Sequence, residues 1–153
     1  LKVFDDILLT LNGPLRDDPA MDGGAEPSLA LAVALVLVDV RRVDPPRRIV
    51  DPGLARRELQ RLLGLDALAA ARLIRAAQRE SERATSLALY TYVIARAFSF
   101  EQRVALARAL WRIAYARGAV QPAEQAYVDR AVGLIGLSPD AAHAARVSIE
   151  RED

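Results

Sequence analysis

The sequence predicts an all-α fold, a compact bundle of about seven helices, and three observations carry that prediction. Residues 29–38 (Leu-Ala-Leu-Ala-Val-Ala-Leu-Val-Leu-Val) run without a polar interruption. Elsewhere, apolar residues recur at helical rather than alternating spacing. Ser, Asp, Pro and Gly fall where helices start and stop, as in Asp51-Pro52, Gly64, Asp66, Ser99, Gly118, Pro122, Gly136 and Ser138-Pro139. At 153 residues, 52% of them hydrophobic and only 5% aromatic, the chain can bury a core built from Leu, Ala and Val.

Residues 1–11 read as a short amphipathic helix with Val3, Phe4, Ile7, Leu8 and Leu11 on one side. Residues 12–27 gather Gly, Pro, Asp and Asn and read as an acidic loop, so residues 1–27 form a leading segment to a helical domain over 28–153. The apolar run follows. Ten residues give about 15 Å of helix, half a bilayer core, so it does not span a membrane. A helix apolar on every side must be walled in by others. Pro45 and Pro46 break it, and Asp51-Pro52 caps a helix over about 52–63 that ends at Gly64.

Asp66 starts a helix over about 67–83, with Leu68, Leu73, Ile74 and Ala77 expected inward and Arg72, Arg75 and Arg79 outward. The next helix, about 85–97, carries Leu87, Tyr90 and Ile94, with Phe98 continuing their spacing. Ser99-Phe100-Glu101-Gln102 reads as a capping box. It opens a helix over about 100–117 with Val104, Leu106, Ala107, Leu110, Trp111, Ile113 and Ala114 on one face and Glu101, Arg108 and Arg112 opposite, ended by Gly118 at C′. Pro122 begins a helix to about 135, and Ser138-Pro139 the last, to about 150. The halves echo each other. Val43-Asp44-Pro45 and Val120-Gln121-Pro122 each lead to a helix ending in Gly-Leu and then to a capped helix holding Ala-Arg-aliphatic, which predicts an internal duplication around two central apolar helices.

Cysteine is absent, which excludes disulfides, Cys-zinc sites and thiol chemistry. Net charge is +1, too balanced for non-specific nucleic-acid binding. No basic segment followed by an apolar core opens the chain, so a secretion signal is not expected. Residues 1–27 carry two bases against six acids, and the remainder 19 against 14. The glycines build no phosphate loop, and no serine has a base placed by a motif, so an enzyme is not expected. His143, the sole histidine, has only Asp140 one turn away and reads as an exposed helix residue. Trp111 and Tyr115 read as core packing.

Two sets of residues are candidate sites. Arg41, Arg42, Arg47 and Arg48 flank the double proline, where four guanidiniums would grip a partner's carboxylates or phosphates, or else form a solvated loop. Asp39, Asp44, Asp51 and Glu124 would surround a divalent cation if the halves pack as mirror images. Helix capping accounts for Asp44, Asp51 and Glu124 without a metal. Asp39 is either a buried acid with a raised pKa or the point where the apolar helix emerges into solvent, beside Arg42 or Arg72.

Residues 110–137 carry Leu110-Trp111, Ala114, Ala116, Gly118, Glu124 and Gly136-Leu137, with Ser138 next. This resembles the TerB-type tellurite-resistance family, with its Leu-Trp-x-aliphatic-Ala-x-Ala-Asp-Gly segment, its following acid and its helix ending in Leu-Gly-aliphatic-Ser. Leu89-Tyr90-Thr91-Tyr92, Phe100-Glu101-Gln102-Arg103 and the Leu29–Val40 helix fit as well, so the likeness spans about 28–150. The sequence departs from the pattern at Arg117, which replaces the acid before the glycine. It departs again in the first repeat, where Asp-Gly falls at Val40-Arg41 and the later glutamate at Arg47 or Asp51. The resemblance implies a non-enzymatic interaction module of tellurite or stress response, bacterial and cytoplasmic. It implies assembly with other proteins in a membrane-bound complex, peripheral to the inner membrane and without insertion into it, with a homodimer as a further option. It implies no cofactor. A carboxylate-dependent divalent-metal protein of the same fold is the alternative.

Overall fold

In the computed structural model the described residues are 27–40, 52–81 and 86–152. They form seven α-helices, with no strand among them: α1 (Leu29–Asp39), α2 (Pro52–Leu63), α3 (Ala67–Ser81), α4 (Leu87–Ala97), α5 (Phe100–Ala114), α6 (Pro122–Leu134) and α7 (Pro139–Glu150). The expected helix over 1–11 and loop over 12–27 lie outside the described residues, Pro27 excepted.

Helix α1 is the centre of the molecule. Ser28 caps it, its Oγ accepting from the Leu31 amide at 3.1 Å. Every residue from Ala30 to Leu37 is fully buried, whichever side of the helix it occupies. The walls come from α3 and α4 chiefly, then α2, with a lesser contact to α5. That arrangement follows from the sequence, because a helix without a polar face has no side to show water.

The remaining boundaries sit where short polar side chains and glycines allow them. Asp66 Oδ1 accepts from the Ala69 amide at 2.8 Å, and Ser138 Oγ from the Ala141 amide at 3.2 Å. The capping box at Ser99 closes in both directions, Gln102 N to Ser99 Oγ at 3.2 Å and Ser99 N to Gln102 Oε1 at 2.7 Å. After α6 the chain makes a Schellman turn, Leu137 N to Val132 O and Gly136 N to Gly133 O, with Gly136 at φ +96°.

Four expectations are corrected. Leu68 does not point inward but is 59% exposed. It stands about 140° round the helix from Leu73, on the same flank as Arg72, Arg75 and Arg79. The α-helix expected to reach residue 117 ends at Ala114, and residues Tyr115–Arg117 tighten into a 3₁₀ turn. Shorter-range bonds take up the last carbonyls there, with Gly118 N bonding Tyr115 O at 2.9 Å. Gly118 has φ +103° and ψ −129°, which is not the left-handed helical geometry of a C′ glycine. Arg112, placed opposite the apolar face of α5, is instead drawn into a half-buried ion pair.

The helices form two trios, α1–α3 and α5–α7. In each, the leading apolar helix packs most heavily on the third helix and less on the second. The same order of packing thus recurs in both trios. The trios also reach into each other reciprocally. From α2, Glu58 pairs with Arg112 of α5, and from α6, the Tyr127 hydroxyl donates to Val36 O of α1 at 2.9 Å. Helix α4 packs against both α1 and α6 and joins the trios.

Candidate functional site

The residues of the Trp–Gly–Glu segment lie where α5 meets α6 and α7. Trp111 is buried, and Arg146 of α7 lays its guanidinium over the indole at 4.4 Å and over the Tyr115 ring at 5.8 Å. The two rings stand 6.1 Å apart, tilted by 42°. Their spacing follows from the helix, since residues four apart stack on one face. Arg146 is held in the plane of this stack by polar contacts as well. Its Nε donates to the Tyr115 hydroxyl at 2.9 Å and its Nη2 to Gln125 Oε1 at 3.3 Å. The Tyr115 hydroxyl donates in turn to Glu150 Oε2 at 2.6 Å. Burial and the Glu150 carboxylate raise the phenol's pKa above 10, against the opposing pull of Arg146, so it stays a neutral donor at physiological pH.

Beside this stack is a cavity of about 330 Å³, lined by Trp111, Asp129, Gly133, Leu137, Pro139, Ala142, His143 and Arg146. The indole Nε1–H of Trp111 is buried and has no acceptor among the described residues. His143, expected as an exposed helix residue, is exposed and yet lines the same cavity as Asp129, fourteen residues earlier, a juxtaposition that sequence spacing does not reveal. The cavity thus has an apolar floor and three ionisable groups at its rim. Trp111 and Tyr115, read as core, are core on one side and cavity wall or hydrogen-bond partner on the other.

A second polar cluster ties the other side of α5 to α2 and the end of α7. Arg112 donates from Nη1 to Glu58 Oε1 at 2.6 Å, and from Nε and Nη2 to Glu152 at 3.2 and 3.1 Å. Arg108 Nη2 reaches the same Glu152 at 3.1 Å. Burial works against the charge of Arg112, but hydrogen bonds and charge from Glu152 and Glu58 outweigh it and raise its pKa further. Hydrogen bonding by Arg112, then its charge and that of Arg108, holds the Glu152 carboxyl below its ordinary value of 4.5. Glu58 is 2% exposed, and sequence reasoning missed it entirely. Its partner lies 54 residues away, beyond any local signal.

Of the acidic set, Glu124 is buried and accepts from the Gln121 amide at 3.3 Å, which is a capping role. Asp39 is half-buried, and its charge, after burial, contributes to a pKa for Tyr127 well above 10. Asp44 and Asp51 lie outside the described residues, as do Arg41, Arg42, Arg47 and Arg48. Among the described residues no group of three His, Cys, Asp or Glu side chains converges as a metal site would require. Nor is any described helix long and apolar enough to cross a membrane.

No curated protein and no solved structure matches the chain. The family model described as tellurite resistance protein TerB matches residues 30–147, from the start of the buried α1 to the last turn but one of α7. It takes in both trios, the bridging helix α4 and the Trp111–Arg146 stack. The chain therefore belongs to the TerB tellurite-resistance family.

Proposed function

We propose that this TerB domain is a non-enzymatic interaction module of the tellurite or general stress response, which holds partner proteins together at the cytoplasmic face of a membrane. The observation that carries this reading is what has become of the family segment's acids. The position before Gly118 is Arg117, and the surviving Glu124 is committed to capping its own helix. The scaffold is retained while the carboxylates that would serve a cation are exchanged or occupied. Partner contact is assigned to Arg41, Arg42, Arg47 and Arg48, whose guanidiniums suit carboxylates or phosphates on an apposed surface.

The test is charge reversal of those four arginines to Glu in the full chain. Pull-down of the partner complex is expected to be lost while the melting temperature stays unchanged. Undiminished capture by the folded variant overturns the arginine assignment. In parallel, melting is followed in chelator-treated buffer with calcium, magnesium, manganese or zinc added. A rise with one cation that disappears in Glu124→Ala or Asp51→Ala would replace the module reading with a metal-binding one. At a hundred times its dissociation constant, such a cation stabilises by roughly 2.7 kcal/mol, which a melting curve resolves.

A further inference from the structure

The seam between the second and third helices occurs once in each trio, and the two copies differ in how they use their arginines. In the second trio Arg146 is spent on Trp111, Tyr115 and Gln125. In the first trio the seam between α2 and α3 contains a cavity of about 200 Å³, lined by Gly53, Arg56, Ala71, Ile74, Arg75 and Gln78. Two guanidiniums and a carboxamide stand on an apolar wall there, and among the described residues no carboxylate lines the space. Among the described residues, neither Arg56 nor Arg75 has a hydrogen bond or ion pair, and Arg56 Nε is buried without an acceptor. Two like charges beside one cavity repel, and a buried donor without an acceptor costs about 1–3 kcal/mol. An anion between them relieves both penalties.

The geometry points to a binding site for a small oxyanion in this cavity, and we propose that Arg56 and Arg75 hold it by charge-assisted hydrogen bonds while the Gln78 carboxamide donates a further one. The planar fork of arginine suits the paired oxygens of such a ligand better than a point charge would. The opening turn of α2, which includes Gly53, adds the positive end of a helix to the same side. The site is independent of the partner-holding role proposed above and stands or falls separately.

The experiment is calorimetric titration of the full chain with inorganic phosphate, glycerol phosphate and tellurite in turn, with chloride adjusted to constant ionic strength. Saturable binding of at least one is expected, weakened at least tenfold in Arg75→Gln and in Arg56→Gln. It should be unchanged in Arg72→Gln, which removes a neighbouring charge outside the cavity. Arg75 is exposed, so its variant keeps the fold, and a melting curve verifies this. Phosphate, glycerol phosphate and tellurite binding distinguish a free phosphate, an esterified one and a chalcogen oxyanion as the source. No saturable heat with any probe, or equal loss in Arg72→Gln, overturns the proposal.

Discussion

At the scale of single residues, the Arg112 cluster separates a costly ion pair from a cheap one. Glu58 is almost wholly buried, whereas the side chain of Glu152 is 40% exposed. Exposed pairs contribute about 0–1 kcal/mol, because water already solvates both charges. A buried charge that loses its partner costs about 3–5 kcal/mol, since nothing replaces the lost solvation. Arg112→Met leaves Glu58 stranded and is expected to destabilise the chain by about 3 kcal/mol, while Glu152→Gln costs about 0.5 kcal/mol. Urea unfolding of the two variants measures both, and equal effects would contradict the burial argument. The same contrast has a pH signature. Glu152 has its folded pKa held below the unfolded value near 4.5, so its contribution is present above that value and lost as pH falls through the folded pKa. Glu152→Gln should therefore lower stability at neutral pH by that small amount and converge on the parent protein as pH falls below 4.5, which flattens the acid limb of the stability curve.

At the scale of elements, the helix boundaries show which parts of the structure are local. The Ser99 box satisfies two amides with side chains three residues apart, and Ser99→Ala is expected to cost about 1 kcal/mol. Gly136→Ala should cost more. Its φ of +96° is strained for any L side chain by about 1–2 kcal/mol, and a methyl there meets Arg103 Nη1 at 3.1 Å. That arginine is tied to Ala95 O and cannot simply swing away. Thermal melts of both variants test the ranking, and a Gly136→Ala protein as stable as Ser99→Ala would refute it. Such signals were legible in the sequence because cap, turn and glycine lie within a few residues of one another. The apolar α1 was legible for the same reason, since its composition alone requires burial. What the sequence hid is the contact set of Arg112 and Arg146. Their partners Glu58 and Gln125 sit on other helices, and an arginine reads as solvent-facing until the opposing acceptor is known. Leu68 misled in the opposite sense, because its type suggested the core while its angular position put it among the arginines of α3. The cavity shared by Trp111, Asp129 and His143 exists only once α6 and α7 are packed, and no motif spacing encodes it.

At the scale of the whole molecule, the question is whether the two trios are separate folding units or one. Each leading helix packs chiefly within its own trio, which taken alone would allow two transitions. Three features oppose that. Helix α4 packs on α1 and also on α6, α2 packs on α5, and α1 itself touches α5. The reciprocal bonds from Glu58 to Arg112 and from Tyr127 to Val36 cross the same boundary. More decisively, α1 is buried on every side, so opening the interface would expose Leu and Val side chains worth about 2 kcal/mol each. The trios should therefore unfold in a single transition with calorimetric and van't Hoff enthalpies equal. Leu35→Ala in α1 and Leu110→Ala in α5 each remove a fully buried side chain, at a cost of about 2–5 kcal/mol. Both variants should move that one transition down, by roughly 2–4 °C per kcal/mol, without splitting it. Differential scanning calorimetry distinguishes the cases. If Leu35→Ala instead produced a second, lower transition while the remainder melted at the original temperature, the halves would be independent domains with separate cores.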